Sequence, residues 1–168
     1  MPLTANAIPS VVGGSAYPFD ASLAFCSAAT LTATGYLGSP TQLDLGQGRQ
    51  SGIMVSDLSA LDVTSGDESY RFFLLGSNDN AFGNGNVEIL GVADVAAASA
   101  GRLIPTIAGA SPTIPMTGRA GSFIEIPFTT QRLGIIYRYV RGYVVIGGTT
   151  PTVTVTSWLT LDYKGGGF

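Results

Sequence analysis

The stretch TVTVTSWLTLD, residues 152–162, alternates between two kinds of position along its whole length. One set of alternate positions holds four aliphatic residues and a serine: Val153, Val155, Ser157, Leu159 and Leu161. The other set holds four threonines together with Trp158 and Asp162. A period of two is typical of an antiparallel strand with one face in the core. We therefore predict a half-buried β-strand here, with the aliphatic set facing inward.

The segments next to this strand indicate further strands joined by turns. GIIYRYVRGYVVIGG (134–148) also alternates, and the short loop 147–151 (GGTTP) predicts an antiparallel hairpin between it and the strand at 152–162. YRFFLLG and VEILGVA, on either side of SNDNAFGNGN, predict a second hairpin. The remaining predicted elements are strands at 31–37, 42–45, 52–58 and 122–128, and a short helix at 94–101.

The loop SNDNAFGNGN, residues 77–86, has the composition of either a calcium loop or a hairpin turn. Counted from Asn78, the fifth position is Phe82, which cannot coordinate a cation. The twelfth position is Ile89, where a calcium loop requires a bidentate Glu. Asn and Gly tolerate positive φ, which tight turns require. We therefore predict a hairpin connection and no metal site.

Composition indicates the fold class. The 23 glycines and 9 prolines separate many short strands, and sheets with one apolar face each bury those faces against one another. We predict an all-β protein, a jelly-roll-like antiparallel β-sandwich over residues 19–163, with a long loop at 105–121. Residues 1–18 are predicted to form an extended N-terminal arm, and residues 164–168 a Gly-rich tail.

Several function classes lack the residues that they need. The chain has no histidine and one cysteine, Cys26, so a Ser-His-Asp triad and the usual zinc ligands are missing. The 11 acidic residues are dispersed, and their one adjacent pair, Asp67 and Glu68, is interpreted as a solvated turn. We predict no catalytic residues and no cofactor, with a hydrolase built on carboxylates alone as a remaining alternative.

Charge and hydropathy argue against two kinds of partner. A net charge of -3 without a basic run predicts no nucleic-acid binding, and no apolar stretch reaches the length of a membrane span. The N-terminus lacks the features of a signal peptide, so we expect synthesis in a cytoplasm. Only 11% of residues are charged, and seven of the eight basic residues are Arg. Such a surface is typical of protein interfaces; the alternative is an uncharged Ser/Thr/Asn surface.

Three stretches in order resemble one protein family. They are FDASLAFCSAATLTATGYLGSPTQLDLGQG (19–48), RFFLLGSNDNAF (71–82) and YRYVRGYVVIGGTTPTVTVTSWLTLD (137–162). Within the first, Thr-Ala-Thr at 32–34 and Asp-Leu-Gly at 44–46 carry the likeness. The stretches resemble the capsid cement, or decoration, proteins of tailed bacteriophages.

This resemblance covers residues 19–163 with breaks and does not extend to the arm or to the loop at 105–121. It implies a jelly-roll-like fold and a homo-oligomer, often a trimer. It also implies binding to the major capsid protein on the exterior of the virion. We therefore expect a non-enzymatic structural protein that bridges capsid subunits. The alternatives are a carbohydrate-binding β-sandwich module and another virion component, such as a head fibre or tail part.

Two groups of residues are candidates for contact with a partner. The first shares one face of the strand predicted at 134–148 and consists of Tyr137, Tyr139, Arg141 and Tyr143. Three interpretations of this face stay open: an ordinary sheet face with aromatic pairs, a subunit contact, or a carbohydrate platform. The second group lies in and next to the arm and consists of Ile8, Val11, Val12, Tyr17 and Phe19. The arm is either disordered or docked along a neighbouring subunit.

Overall fold

A computed structural model describes residues 19–38, 42–83, 86–97, 100 and 121–161. The regular secondary structure in this part of the chain is one short 3-10 turn, Ala21–Leu23, and a set of strands. The strands are β1 (Ala24–Leu31), β2 (Gly35–Tyr36), β3 (Leu43–Asp44), β4 (Ser51–Leu61), β5 (Ser69–Ser77), β6 (Val87–Ala96), β7 (Ser122–Thr129), β8 (Gln131–Arg132), β9 (Ile135–Ile136), β10 (Tyr139–Gly147) and β11 (Val153–Leu161). None of the helices in this part is long and apolar enough to cross a bilayer.

The main strands form two antiparallel sheets that pack as a sandwich. The four-stranded sheet has the order β1-β11-β4-β7. The five-stranded sheet has the order β2-β10-β5-β6, and β3 also pairs with β10. Strands β8 and β9 form a separate two-stranded ribbon. The prediction of an all-β antiparallel sandwich is confirmed.

Aliphatic and aromatic side chains from both sheets fill the space between them. Met54 and Leu58 of β4 meet Phe72 of β5 and Val144 of β10 in one cluster, and all four are fully buried. These strands are central in their sheets, so each has the core on one side and an outward face on the other. The core therefore lies where the inward faces of the two sheets meet.

The side chains of β11 point to the two faces of the sheet as their alternation predicts. Val153, Val155 and Leu159 belong to the core cluster and are fully buried. Trp158 points to the opposite side, where the ring of Phe19 stacks edge-on against it at a centroid distance of 5.4 Å. The strand predicted from 152–162 is confirmed.

The predicted hairpin between β10 and β11 is wrong. The two strands lie in opposite sheets: β10 pairs with β2, β3 and β5, whereas β11 pairs with β1 and β4. The connecting residues turn the chain from one sheet to the other, with Gly148 at φ 105° and Thr150 at φ 50°. Stacked sheets lie roughly 10 Å apart, and a five-residue loop easily spans that distance. Loop length alone was therefore insufficient to impose pairing.

The hairpin formed by β5 and β6 is confirmed, since the two strands pair antiparallel from Ser69↔Ala96 to Ser77↔Val87. The helix predicted at 94–101 is wrong in the described residues, because its first three residues belong to β6. Val95 is fully buried and continues the alternation of that strand, so packing against the core overrides the helix propensity of the alanines.

Other strand boundaries also differ from prediction. The segment predicted at 31–37 is interrupted by bends at 32–34, and β1 ends at Leu31. The segment predicted at 134–148 is divided into β9 and β10. The segments predicted at 52–58 and 122–128 lie within β4 and β7. The predicted arm, tail and almost all of the loop at 105–121 lie outside the described residues.

The solvated turn predicted at Asp67 and Glu68 is wrong for Glu68, which is fully buried. Its carboxylate accepts the backbone N–H groups of Ser65 at 2.7 Å and Gly66 at 2.9 Å. Asp67 is exposed and accepts hydrogen bonds from the N–H and hydroxyl of Thr149. Both carboxylates thus hold turns at this end of the sandwich.

Candidate interaction surface

The outer face of the five-stranded sheet is the surface formed by its side chains that point away from the core. It is aromatic and aliphatic over most of its extent. One row across the sheet follows the pairing Tyr36↔Tyr143↔Phe73↔Val92. The next row follows Arg141↔Leu75↔Ile89. In an ordinary antiparallel sheet the solvent face carries mainly polar residues, so this composition is unusual.

Three aromatic residues and one arginine form a cluster on this face. The rings of Tyr36 and Tyr143 meet edge to face at a centroid distance of 5.1 Å. The guanidinium carbon of Arg141 lies 3.6 Å from the centroid of Tyr36 and 5.9 Å from that of Phe82. Nε of Arg141 is buried and has no hydrogen-bond partner in the described part of the chain. The cluster therefore places the cation of Arg141 against the rings of Tyr36 and Phe82.

The loop between β5 and β6 positions Phe82 in this cluster. The carboxylate of Asp79 accepts the N–H groups of Ala81 and Gly83, each at 3.0 Å. The backbone carbonyl of Asp79 accepts the N–H of Phe82 at 3.1 Å. Phe82 takes a positive φ of 52° and is 7% exposed. The loop thus acts as a hairpin connection, and the carboxylate of Asp79 satisfies the N–H groups of the loop itself.

An ion pair closes the edge of the sheet beside the cluster. Arg138 donates to both carboxylate oxygens of Asp44, at 2.8 and 2.7 Å, where β3 pairs with β10. These hydrogen bonds lower the pKa of Asp44 to about 2. The guanidinium carbon of Arg138 also lies 5.1 Å from the centroid of the Tyr139 ring.

Exposed aliphatic residues continue the apolar surface toward β6 and the ribbon. Val87, Ile89 and Val92 of β6 are 40%, 45% and 53% exposed. On the ribbon, Ile135 is 51% exposed, and it lines the same cavity of about 480 Å³ as Val87. The described residues hold no group of three His, Cys, Asp or Glu side chains that could bind a metal.

The structure brings together only part of the predicted contact residues. Tyr139, Arg141 and Tyr143 share the outer face of the five-stranded sheet, as their alternation predicts. Tyr137 precedes β10 and packs against the core cluster instead, so its predicted place on this face is wrong. Phe19 lies beside Trp158, which belongs to the four-stranded sheet. The other four predicted contacts lie outside the described residues: Ile8, Val11, Val12 and Tyr17.

Sequence reasoning missed Tyr36, Phe82 and the exposed residues of β6. Tyr36 is more than a hundred positions before Tyr143, and only the strand pairing brings their rings into contact. The alternation of VEILGVA did predict a strand, but it did not show which side would face solvent. No protein-family model, curated protein or solved structure matches the chain.

Proposed function

We propose that the protein is a non-enzymatic structural component of a phage virion. It binds the outer surface of the capsid and stabilises the shell by bridging major capsid protein subunits. The observation that carries this proposal is the apolar outer face of the five-stranded sheet, with its Tyr36–Arg141–Tyr143 cluster. The sequence resemblance to capsid cement proteins supplies the identity of the partner.

The composition of this face suits a protein partner. Aromatic residues and Arg are enriched at binding hot spots, and Arg141 and Tyr143 lie within a single strand near the centre of the sheet. A standard interface buries about 1,600 Å², and every copy on the lattice adds that contact again. Opening the shell then requires these added contacts to break, which is the mechanical basis of the proposed stabilisation.

A carbohydrate-binding module is the alternative from another class, and the ring geometry disfavours it. Sugars stack on free aromatic faces, but the guanidinium of Arg141 covers Tyr36 at 3.6 Å. The ring of Tyr143 meets Tyr36 at an interplanar angle of 74°, so the two rings form no flat platform. A head fibre or tail component is a second alternative, and it shares the proposed mode of contact.

Strand order supports the finer proposal of a jelly roll. Strands β2 and β3 both pair with β10, so they count here as one interrupted edge strand, which gives four strands in each layer. On that count only the connection from β5 to β6 stays within one sheet, and the others cross the sandwich. Such wrapping of two four-stranded antiparallel layers is the arrangement of a jelly roll. We further propose that the protein is a homo-oligomer, with a trimer as the form that the resemblance implies.

Co-sedimentation tests the proposal, using empty shells of the virus that encodes the chain. The informative variant is Ile89→Lys, which places a charge on the outer face of the five-stranded sheet. Its matched control is Ala60→Lys, at an exposed position of β4 in the four-stranded sheet. Light scattering on the free protein reports the oligomeric state.

The wild type and Ala60→Lys are expected to pellet with shells, whereas Ile89→Lys stays in the supernatant. A wild type that never pellets contradicts the capsid proposal, and a glycan screen then tests the carbohydrate alternative. If Ala60→Lys loses binding and Ile89→Lys keeps it, the contact lies on the other sheet.

A further inference from the structure

The ribbon formed by β8 and β9 ends in an unusual turn. Its register pairs Gln131 with Ile136 and Arg132 with Ile135, which leaves Leu133 and Gly134 as a two-residue loop. Both loop residues have positive φ, 48° and 83° respectively. Positive φ at both central positions is the requirement of a type I′ hairpin turn, for which Asn-Gly is the preferred sequence.

Leu133 is poorly suited to this position in two respects. Its Cβ is strained at positive φ, and its side chain lacks the polar atoms by which Asn and Asp offset that strain. The side chain is also 98% exposed, so nothing in the described part of the chain covers it. Within the described residues, no contact therefore offsets the strain of this solvated leucine.

The ribbon holds this turn in a fixed place. Nη2 of Arg132 donates to the carbonyl of Leu90 in β6 at 3.3 Å, and Nδ2 of Asn78 donates to the carbonyl of Ile136 at 2.9 Å. The N–H of Tyr137 donates to the carbonyl of Thr130 at 2.9 Å. The first two bonds tie both strands of the ribbon to the sandwich, and the third closes the base of the ribbon, so the position of Leu133 at its tip is supported.

The ribbon and the neighbouring strand β6 hold most of the exposed aliphatic side chains. Seven large hydrophobic residues are exposed in the described part of the chain, and five of them lie on β6 or the ribbon. These five are Val87, Ile89, Val92, Leu133 and Ile135. Isolated exposed hydrophobic residues are ordinary, but a contiguous group marks a contact site.

We propose that Leu133 is an anchor residue that inserts into an apolar socket on the capsid protein. This inference rests on the proposed function and names the chemistry of the partner's side of the contact. The socket has a basic rim, because Asp79 and Glu88 line the cavity beside Ile135. Together with exposed Arg132 beside the tip, these two acidic side chains leave a net charge of -1, which does not favour an anionic lipid surface. The charge therefore favours a protein over a membrane as the partner.

Three variants test this anchor. Leu133→Asn relieves the strain and removes the apolar group, whereas Leu133→Met keeps an apolar group at the tip. Ala28→Asn is the matched control: Ala28 also has a positive φ, 46°, and is exposed, but it lies in β1 at the opposite edge of the four-stranded sheet from β7. For each variant, thermal unfolding of the free protein and the dissociation constant for empty shells are measured.

We expect Leu133→Asn and Ala28→Asn both to raise the melting temperature of the free protein. Only Leu133→Asn should weaken shell binding, by about 10- to 100-fold, which corresponds to the burial of one leucine side chain. Leu133→Met should bind within about threefold of the wild type. A variant that becomes more stable while it loses affinity separates a binding role from a folding role.

Other outcomes overturn the inference in distinguishable ways. If Leu133→Asn binds shells with wild-type affinity, Leu133 is not an anchor, and the proposed function is unaffected. If the wild type itself does not bind shells, both the inference and the proposed function are wrong. A change in the light-scattering mass of Leu133→Asn, with shell binding unchanged, assigns the socket to a second copy of this chain. If the wild type binds phosphatidylserine vesicles and Leu133→Asn does not, Leu133 contacts a membrane and not a capsid protein.

Discussion

The buried hydroxyl pair of Ser56 and Ser157 provides a quantitative test of the packing between β4 and β11. Both residues are fully buried, and their Oγ atoms lie 2.9 Å apart. The hydroxyl of Ser157 also donates to the carbonyl of Val55 at 3.1 Å. With that proton committed to Val55, the hydroxyl of Ser56 is the donor in the Ser–Ser bond.

This arrangement makes the two alanine substitutions unequal. Ser157→Ala removes the acceptor of Ser56 and leaves a buried hydroxyl without a partner, which costs about 1–3 kcal/mol. Ser56→Ala removes one neutral hydrogen bond but leaves the bond from Ser157 to Val55 intact, at a cost of about 0.5–1.5 kcal/mol. The double variant has no orphaned hydroxyl, so we expect it to be more stable than Ser157→Ala alone.

Urea unfolding of the four proteins measures these differences. Trp158 is the single tryptophan and lies next to Ser157 in β11, so its fluorescence reports on this sheet. With a slope of about 2 kcal/mol per molar urea, a loss of about 2 kcal/mol lowers the midpoint by about 1 M. Strictly additive effects, or a double variant less stable than Ser157→Ala, would refute the assigned hydrogen-bond direction.

Three further predictions follow from other contacts. Folding lowers the pKa of Asp44 from 3.8 to about 2, so the stabilisation by Arg138 is present above the unfolded pKa and is lost as pH falls toward 2. The urea midpoints of the wild type and Asp44→Asn should therefore converge on acidification; a constant difference would contradict this. Gly91→Ala should lower the free energy of unfolding by about 1–3 kcal/mol in the same assay, because the added Cβ would overlap the side chain of Ile126. Unchanged stability would show that β7 shifts to make room for the Cβ. The free energy of unfolding of Arg141→Met should be within about 1 kcal/mol of the wild-type value, because removal of the buried Nε offsets the loss of the ring contact. The same variant should bind shells at least ~30-fold more weakly. Unchanged affinity would remove Arg141 from the interface.

The sequence predicts local structure well where one physical requirement dominates. In β11 the period of two places Val153, Val155 and Leu159 in the core and Trp158 on the other side, as the structure has them. The β5–β6 hairpin was equally predictable, since a loop rich in Asn and Gly joins two apolar runs.

Pairing between distant strands is not predictable in this way. The loop at 147–151 is compatible with a hairpin and with a crossing between sheets. The choice depends on β4 and β5, which pair with β11 and β10 respectively and are far away in sequence. A Cβ on Gly148 would lie 2.6 Å from Cα of Glu68, a contact that no local pattern reveals.

Only the part of the candidate interaction surface that lies within one strand could be predicted, for the same reason. The alternation within β10 placed Tyr139, Arg141 and Tyr143 on one side, but their neighbours come from other strands. The role proposed for Leu133 could not be predicted from the sequence. Its exposure and positive φ are properties of the folded turn, and the dipeptide Leu-Gly does not indicate them.

The measurement that tests the central proposal most directly is the disruption temperature of empty shells with and without saturating protein. If the outer face of the five-stranded sheet bridges capsid subunits, wild-type protein raises that temperature. Ile89→Lys, at a position 45% exposed on that face, leaves the temperature where it is without protein. Shells that bind the wild type but fall apart at an unchanged temperature would contradict the proposal that this protein stabilises them.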